Sequence, residues 1–228
     1  MQPRSYGRNP IRVQRLVACV LLALLFALWS AVGIKAAERP IKVVVLGDSL
    51  SAGLGLPEGD AFPAKLAEAL KARGIAATVA NAGVSGDTAS GGLARVDWSV
   101  PDGTDAAIVE LGANDALRGM DPAITKVALD KILRKLADRH IVVLLAGMRA
   151  PRNMGPDYIR GFDDIYPALA STHSVVFYPF FLEGVAADPK LNQADGLHPN
   201  ADGVDTIVAR IMPRVEELIA RARAARGS

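Results

Sequence analysis

The chain has 228 residues, of which 50% are hydrophobic and 22% are charged, and its formal net charge is +2. The charge is unevenly distributed, because residues 1–37 carry five Lys or Arg and no Asp or Glu. Residues 38–228 carry 21 basic and 24 acidic residues, a net charge of −3. A mildly acidic body of this kind argues against recognition of a phosphate backbone, so no nucleic acid partner is expected.

The first 37 residues have the composition of an export segment. Residues 16–34 contain no charged residue and follow four arginines. A basic stretch before an apolar run predicts a signal peptide or, because about 20 apolar residues span a bilayer, an N-terminal membrane anchor. Either outcome leaves residues 38–228 periplasmic or secreted. The single cysteine, Cys19, lies in this run, so residues 38–228 have neither a disulfide nor thiol chemistry.

Downstream, short aliphatic runs alternate with segments of helical periodicity, and Gly, Pro and Asp mark the junctions. Asp60 is expected to cap the first long helix, Asp121 to cap one with Pro in its first turn, and Pro213 to kink or split the last. Such alternation predicts an α/β fold, a three-layer α/β/α sandwich around a five-stranded parallel sheet. The predicted strands span 41–47, 75–80, 106–111, 141–146 and 175–178, and the predicted helices 60–73, 89–98, 122–139, 158–171 and 200 onward.

Four polar clusters follow the first three strands or precede the last helix. Because the carboxyl ends of parallel strands share one edge, we expect these clusters to converge there. A serine needs a base to take its proton and donors aimed at the oxyanion, and a third group usually orients the base. Ser49 is therefore the candidate nucleophile, His198 the base and Asp195 its orienting acid. The candidate oxyanion donors are the Asn114 side chain and the backbone N–H groups of Gly86 and Ser49, while Asp48 is expected to orient the turn and not to titrate in catalysis.

Each signal has an ordinary structural explanation when taken alone. A serine after a strand is commonly a helix cap, and Asn-Asp or Asp-Gly pairs are commonly turns. His140 and His173 precede strands and are interpreted as surface loop residues. The catalytic interpretation depends on the four signals occurring together, in this order, at one predicted edge.

These motifs resemble the SGNH (GDSL) hydrolase superfamily, and within it the group of thioesterase I, lysophospholipase L1 and arylesterase. The resemblance implies a flavodoxin-like SGNH hydrolase fold for residues 38–228, with Ser49, Asp195 and His198 as the triad. It also implies an oxyanion hole of Ser49, Gly86 and Asn114, no metal or cofactor, and hydrolysis of acyl esters or thioesters. The sequence departs at Ala113, where relatives often have a second Gly. The matching segments are residues 46–53, 81–88, 110–119 and 195–200.

The acyl group needs an apolar groove beside the serine. The candidate substrate-binding residues are Leu54 and Leu56 in the first loop and residues 148–158 in the long loop after the fourth strand, where Met154 and Tyr158 could flank an acyl chain. These loops could equally pack only on their own domain. The expected substrate is a small acyl ester or lipid, and the domain is expected to be a monomer, with membrane attachment through residues 16–34 as an option.

Two alternatives stay open at this point. A carbohydrate O-acetylesterase belongs to the same superfamily, but the only Trp in residues 38–228 is Trp98, so aromatic platforms for a sugar are scarce. A non-catalytic acyl or lipid carrier would retain the groove, but the intact Ser49, Asn114, Asp195 and His198 argue against it.

Overall fold

Five parallel strands form the centre of the molecule, as seen in a computed structural model that describes residues 39–227. The order across the sheet is β2-β1-β3-β4-β5, with every pair parallel. This is the order of a flavodoxin-like doubly wound sheet, so the predicted fold class is confirmed. The predicted signal or anchor (residues 1–37) lies outside the described residues. The strands are β1 (Ile41–Gly47), β2 (Ala77–Gly83), β3 (Ala106–Glu110), β4 (Val142–Ala146) and β5 (Val176–Tyr178).

The central strands form because their aliphatic runs are covered on both faces. Every residue of β3 is buried, as are residues 43–47 of β1 and 143–146 of β4. The edge strand β2 is half exposed. Its mixed composition carries a weaker signal, and the strand extends three residues beyond the predicted end at Ala80, through residues that the sequence pattern assigned to a turn.

Helices cover both faces of the sheet. α2 packs against α8 on one face, and α5 packs against both α3 and α7 on the other. The helices are α1 (Ser49–Ala52), α2 (Phe62–Ala72), α3 (Ala89–Ser99), α4 (Ala113–Leu117), α5 (Pro122–Asp138), α6 (Pro156–Asp163), α7 (Ile165–His173) and α8 (Ala201–Arg226).

Two predicted caps have different outcomes. Asp121 caps α5 by accepting the Ala123 N–H at 2.9 Å, as expected. Asp60 does not cap α2: it ends a short 3₁₀ turn, its carboxylate pairs with Lys65 at 3.2 Å, and Ala61 is the N-cap residue without a side-chain bond. The carboxylate is thus used by an ion pair and not by the backbone.

The helices differ from the prediction in three further places. The helix predicted for 158–171 is two helices that meet at Asp164, because Pro167 offers no N–H to the Asp163 carbonyl. Pro213 does not split α8, which runs through it with a buried stripe on both sides of that position. Residues 113–117, for which no helix was predicted, form the short helix α4 after Gly112, whose φ is +114°.

The strand register aligns the carboxyl edge. Gly47 of β1 lies beside Gly83 of β2 and Glu110 of β3, and the row continues through Ala146 to Tyr178. The loops that follow these residues therefore all begin at the same edge of the sheet. Between residues 39 and 227, no helix combines the length and apolarity needed to cross a bilayer.

Candidate active site

Ser49 begins α1, one residue after the N-cap Asp48. The Asp48 Oδ1 accepts the Leu50 N–H at 3.0 Å and so starts the helix immediately behind strand β1. Gly53 ends α1 after four residues with φ of +80°. This tight turn holds the Ser49 side chain at the carboxyl edge of the sheet, where it is 7% exposed.

Three hydrogen-bonded side chains connect the turn after β1 with the loop before α8. The Ser49 Oγ lies 2.9 Å from the His198 Nε2, and the His198 Nδ1 lies 2.6 Å from the Asp195 Oδ2. Both distances are hydrogen bonds with the arrangement of a nucleophile, a base and an orienting acid. The structure thus brings together the three residues that the sequence proposed as a triad.

Asp195 is held ionised by its own loop. Its Oδ1 accepts the N–H groups of His198 (3.0 Å) and Leu197 (2.9 Å), while its Oδ2 faces the imidazole. These bonds, with the backbone N–H of His198 contributing most, lower the pKa of Asp195 to about 2. The carboxylate therefore keeps its charge throughout the range in which an imidazole titrates.

The loop that carries Asp195 and His198 is closed by polar contacts that the sequence analysis missed. Asn192 and Pro199 form an isolated antiparallel bridge, and the Gln193 N–H donates to the His198 carbonyl at 2.7 Å. The Gln193 side chain also donates to the Leu54 carbonyl at 2.7 Å. Gln193 thereby ties this loop to the loop that follows Ser49, and its local sequence gives no sign of that role.

Two of the expected oxyanion donors are backbone groups without a competing acceptor. Between residues 39 and 227, neither the Ser49 N–H nor the Gly86 N–H donates a hydrogen bond to another group. Gly86 has φ of +85°, which favours glycine, and its carbonyl accepts the Arg118 guanidinium at 2.8 Å. The third donor, the Asn114 amide, is oriented by the Asp48 Oδ2 at 3.1 Å and the Asp87 carbonyl at 2.9 Å.

Arg95 anchors the loop that carries Gly86, and sequence patterning missed it. It is almost fully buried on α3, and its guanidinium donates to the Asp87 carboxylate at 2.6 Å. It also donates to the carbonyls of Gly47 and Ala82, both at 2.7 Å, at the ends of β1 and β2. An arginine within a helix resembles a solvated residue in sequence, so only the tertiary structure identifies this clamp.

Three buried carboxyl groups lie behind the site. Asp48 has the contacts given above, and Asp115 accepts the Ala89 N–H at 2.9 Å and the Thr125 hydroxyl at 2.9 Å. Glu110 lies beneath the Asp48 turn, and burial raises its pKa well above the usual range. The sequence analysis assigned a role only to Asp48, as an orienting group.

A cleft of about 760 Å³ opens beside Ser49 and His198. Its walls are mainly apolar, and Arg149, Arg152 and Glu183 supply most of the charge. The Arg149 guanidinium lies 4.6 Å from the centre of the Phe180 ring. The apolar lining includes Leu50, Ala113, Leu117, Met148, Ala150, Pro151, Phe180, Leu182 and Ala186.

Leu54, Met154 and Tyr158 do not line this cleft. The Tyr158 hydroxyl donates to the Met120 carbonyl at 2.9 Å, and its ring stacks on Phe162. Leu54 is 47% exposed on the loop held by Gln193. The long loop does supply a wall, but through residues 148–152, because its second half packs back on the domain.

We expect activity to rise as the pH is raised from 4, because His198 acts as the base. Only the neutral ring can take the Ser49 proton. Because the pKa of Asp195 is about 2, this carboxylate adds no acid limb near pH 4. The measurement is kcat/KM for a butyrate ester from pH 4 to 9 in a pH-stat, and a flat profile from pH 5 to 9 would exclude a histidine base.

The comparisons with known proteins agree with this geometry. Residues 45–206 match the model of the GDSL-like lipase/acylhydrolase family. The arylesterase of Vibrio mimicus is 41% identical over 168 residues, 73% of this chain and 84% of the relative. The thioesterase 1/protease 1/lysophospholipase L1 of Escherichia coli K12 is 37% identical over 178 residues, 78% of this chain and 84% of the relative.

A solved structure extends the likeness to three dimensions. The crystal structure of AlinE4, an SGNH-hydrolase family esterase, has 46% identity and a TM-score of 0.68 over 80% of this chain and 98% of that chain. The match to the family model covers more than half of the chain, and it includes the strand, turn and loop segments that carry Ser49, Gly86, Asn114, Asp195 and His198. The chain belongs to the GDSL-like lipase/acylhydrolase (SGNH hydrolase) family.

Proposed function

We propose that this protein is a serine esterase that hydrolyses acyl esters through a covalent acyl-enzyme intermediate. The observation that supports this most is the unbroken chain from the Ser49 Oγ through His198 to Asp195, with contacts of 2.9 and 2.6 Å, at the mouth of an apolar cleft. A non-catalytic carrier would need the cleft but not this chain of contacts.

In the proposed reaction, His198 takes the Ser49 proton as the Oγ attacks the ester carbonyl. Asp195 stabilises the imidazolium that forms, and the N–H groups of Ser49 and Gly86 with the Asn114 amide receive the developing oxyanion. His198 then protonates the leaving alcohol, which departs and leaves the acyl group on Ser49. Water, activated by the same imidazole, releases the acid and restores the enzyme.

The cleft indicates which esters fit. Its apolar walls suit an acyl chain, and the family relatives are named for aryl ester, thioester and lysophospholipid substrates. We propose the same range of acyl substrates here. Trp98 is exposed on α3 and does not line the cleft, so no tryptophan within residues 39–227 offers a platform for a sugar there.

One chain contributes the nucleophile, the base, the oxyanion donors and the cleft, so we propose that the enzyme acts as a monomer. Export is inferred from the four arginines and the uncharged run at residues 16–34, which are expected to direct the hydrolase domain to the periplasm or beyond.

The test is hydrolysis of p-nitrophenyl esters with acyl chains from C2 to C16, by the wild type and by Ala186→Trp. Ala186 is exposed in the cleft wall, so the larger side chain fills the groove without disturbing the core. For the longest chains that the wild type turns over, we expect Ala186→Trp to lower kcat/KM by about tenfold or more, the usual scale for lost apolar contacts. The C2 ester should be nearly unaffected.

Ala72→Trp, at an exposed position on α2 away from the cleft, is the matched control. An equal loss for C2 and long chains in Ala186→Trp would show that this cleft does not hold the acyl group. Turnover limited to the C2 ester would favour an acetylesterase, and no turnover at any length by folded protein would favour a carrier.

A further inference from the structure

Glu110 lies beneath the turn that presents Ser49. It is the last residue of β3, it is fully buried, and its Oε2 lies 2.6 Å from the Ser51 Oγ and 3.4 Å from the Asp48 N–H nitrogen. A Cβ on Gly47 would come within 2.6 Å of this carboxyl oxygen. The absence of a side chain at Gly47 therefore makes room for the Glu110 carboxyl between β1 and α1.

The surroundings of Glu110 do not suit a charge. Its Oε1 has no hydrogen-bond partner within the part of the chain that the structure describes, and Glu110 forms no ion pair there. The neighbouring Arg95 uses its N–H groups on Asp87, Ser99 and the carbonyls of Ala82 and Gly47. An ionised carboxylate in this position would be a buried charge with one oxygen unpartnered, whereas the neutral form of the same carboxyl avoids burying that charge.

Asp48 is a second buried carboxyl close to Glu110, and each of its two oxygens accepts a hydrogen bond. Its Oδ1 accepts the Leu50 N–H at 3.0 Å, and its Oδ2 accepts the Asn114 amide at 3.1 Å. Two close buried carboxyls do not both ionise readily, so a single proton goes to the one that has an oxygen without a donor. That carboxyl is Glu110, and Asp48 keeps the negative charge.

We propose that Glu110 is a positioning residue that works as a neutral carboxyl. It supports the turn from below through Ser51 and the Asp48 N–H, and it leaves Asp48 as the one charge of the pair, which orients the Asn114 amide. The inference extends the residue set of the proposed function, on which it rests, to a group that never touches substrate.

The pair predicts a distinct pH behaviour. Burial raises the pKa of Asp48 to about 6, which departs from the expectation from sequence that this carboxyl does not titrate in catalysis. Below that pH Asp48 gains a proton and the Asn114 amide loses its charged acceptor, so Asp48 contributes to the acid limb of kcat. If Glu110 were ionised, its charge would raise the pKa of Asp48 further. Removing that charge by substitution would then move the acid limb of kcat to lower pH. The other titratable groups that act on these two carboxyls are Asp115, His198 and Tyr166.

The test compares Glu110→Gln, a neutral isostere, with Glu110→Leu, which has no acceptor. We expect Glu110→Gln to keep kcat within about threefold and to leave the acid limb within about 0.3 pH units, because no charge is lost. Glu110→Leu should lower kcat by about tenfold, the scale of one lost hydrogen bond, with KM little changed. Glu68→Gln, at an exposed position on α2, controls for the change in total charge.

Three results would overturn the proposal. An acid limb in Glu110→Gln that moves to lower pH by about one unit or more would show that Glu110 is ionised in the wild type. A loss in Glu110→Gln as large as that in Glu110→Leu would show that a carboxylate is required. Wild-type kcat in Glu110→Leu, with a native circular dichroism spectrum, would remove the positioning role.

Infrared spectroscopy provides a readout that needs neither turnover nor the leucine variant. At pH 8, where Asp48 is ionised, the wild type and Glu68→Gln should show the carbonyl band of one buried protonated carboxyl, and Glu110→Gln should lack it. A wild type without the band would refute a neutral Glu110. Because this readout is independent of ester hydrolysis, failure of the proposed function and failure of this inference are distinguishable.

Discussion

Replacing Ser49 by Ala should lower kcat for ester hydrolysis by about 10⁴–10⁶-fold, the scale seen when a serine hydrolase loses its nucleophile. The reason is geometric: the Ser49 Oγ is the atom that the His198 Nε2 contacts at 2.9 Å, and the same turn carries an N–H group free to meet the oxyanion. The change removes one oxygen atom, which makes no other side-chain hydrogen bond within residues 39–227, so the fold should persist. The measurement is turnover of a p-nitrophenyl ester, with thermal unfolding of both proteins.

A covalent probe tests the same residue without turnover. A fluorophosphonate should label the wild type once, at Ser49, and should not label Ser49→Ala. Ser90→Ala is the matched control, since Ser90 is exposed on α3 away from the cleft lining. If folded Ser49→Ala keeps more than about 1% of the wild-type kcat, a fraction well above what binding and oxyanion groups alone sustain, another group is the nucleophile.

The second large effect is expected at Asn114. Asn114→Ala should lower kcat by about 10²–10³, or roughly 3–4 kcal/mol of transition-state stabilisation, with KM little changed. The amide lies beside Asp48 and the Asp87 carbonyl and donates to both, so one of its two N–H groups turns to the oxyanion as that charge forms. Such a donor acts in the transition state more than on the bound ester, which is why the effect appears in kcat.

Asn81→Ala is a suitable control for this variant. Asn81 lies on β2 at the same end of the sheet, and its side chain accepts the Gly83 N–H at 2.9 Å without lining the cleft. The free energy of unfolding should be measured for both variants, because Asn114→Ala also removes a donor from the buried Asp48. An unchanged kcat in Asn114→Ala would take the amide out of the proposed oxyanion hole.

Much of the fold follows from local pattern. The aliphatic runs of β1, β3 and β4 are strands buried on both faces. The ends of strands and helices were less predictable where the hydrophobic pattern is weak, as in the edge strand β2. They were also less predictable where a single residue interrupts a helix, as Pro167 does between α6 and α7. A helix can also run through a proline when packing on both sides holds it, and Pro213 is the example.

Some residues of the candidate site could also be predicted from the sequence, and others could not. The sequence indicated Ser49, Asp195 and His198 because a parallel sheet gathers the carboxyl ends of its strands at one edge, so motifs far apart in the chain share a location. It indicated only part of the cleft wall, the start of the long loop after β4. Leu54, Met154 and Tyr158 are plausible by position, yet the cleft is lined by residues 148–152 and by the segment around Phe180 and Leu182.

By itself, the sequence determined the fold class and the catalytic candidates, because periodic burial and strand-end motifs are local properties of a chain. Only the tertiary structure decided the 2.9 Å contact between Ser49 and His198, the Arg95 clamp and the buried Glu110. Each of these depends on partners 48 to 149 residues away in sequence. The physical reason is that a buried polar group is defined by what surrounds it, and its surroundings exist only once the helices have packed on the sheet.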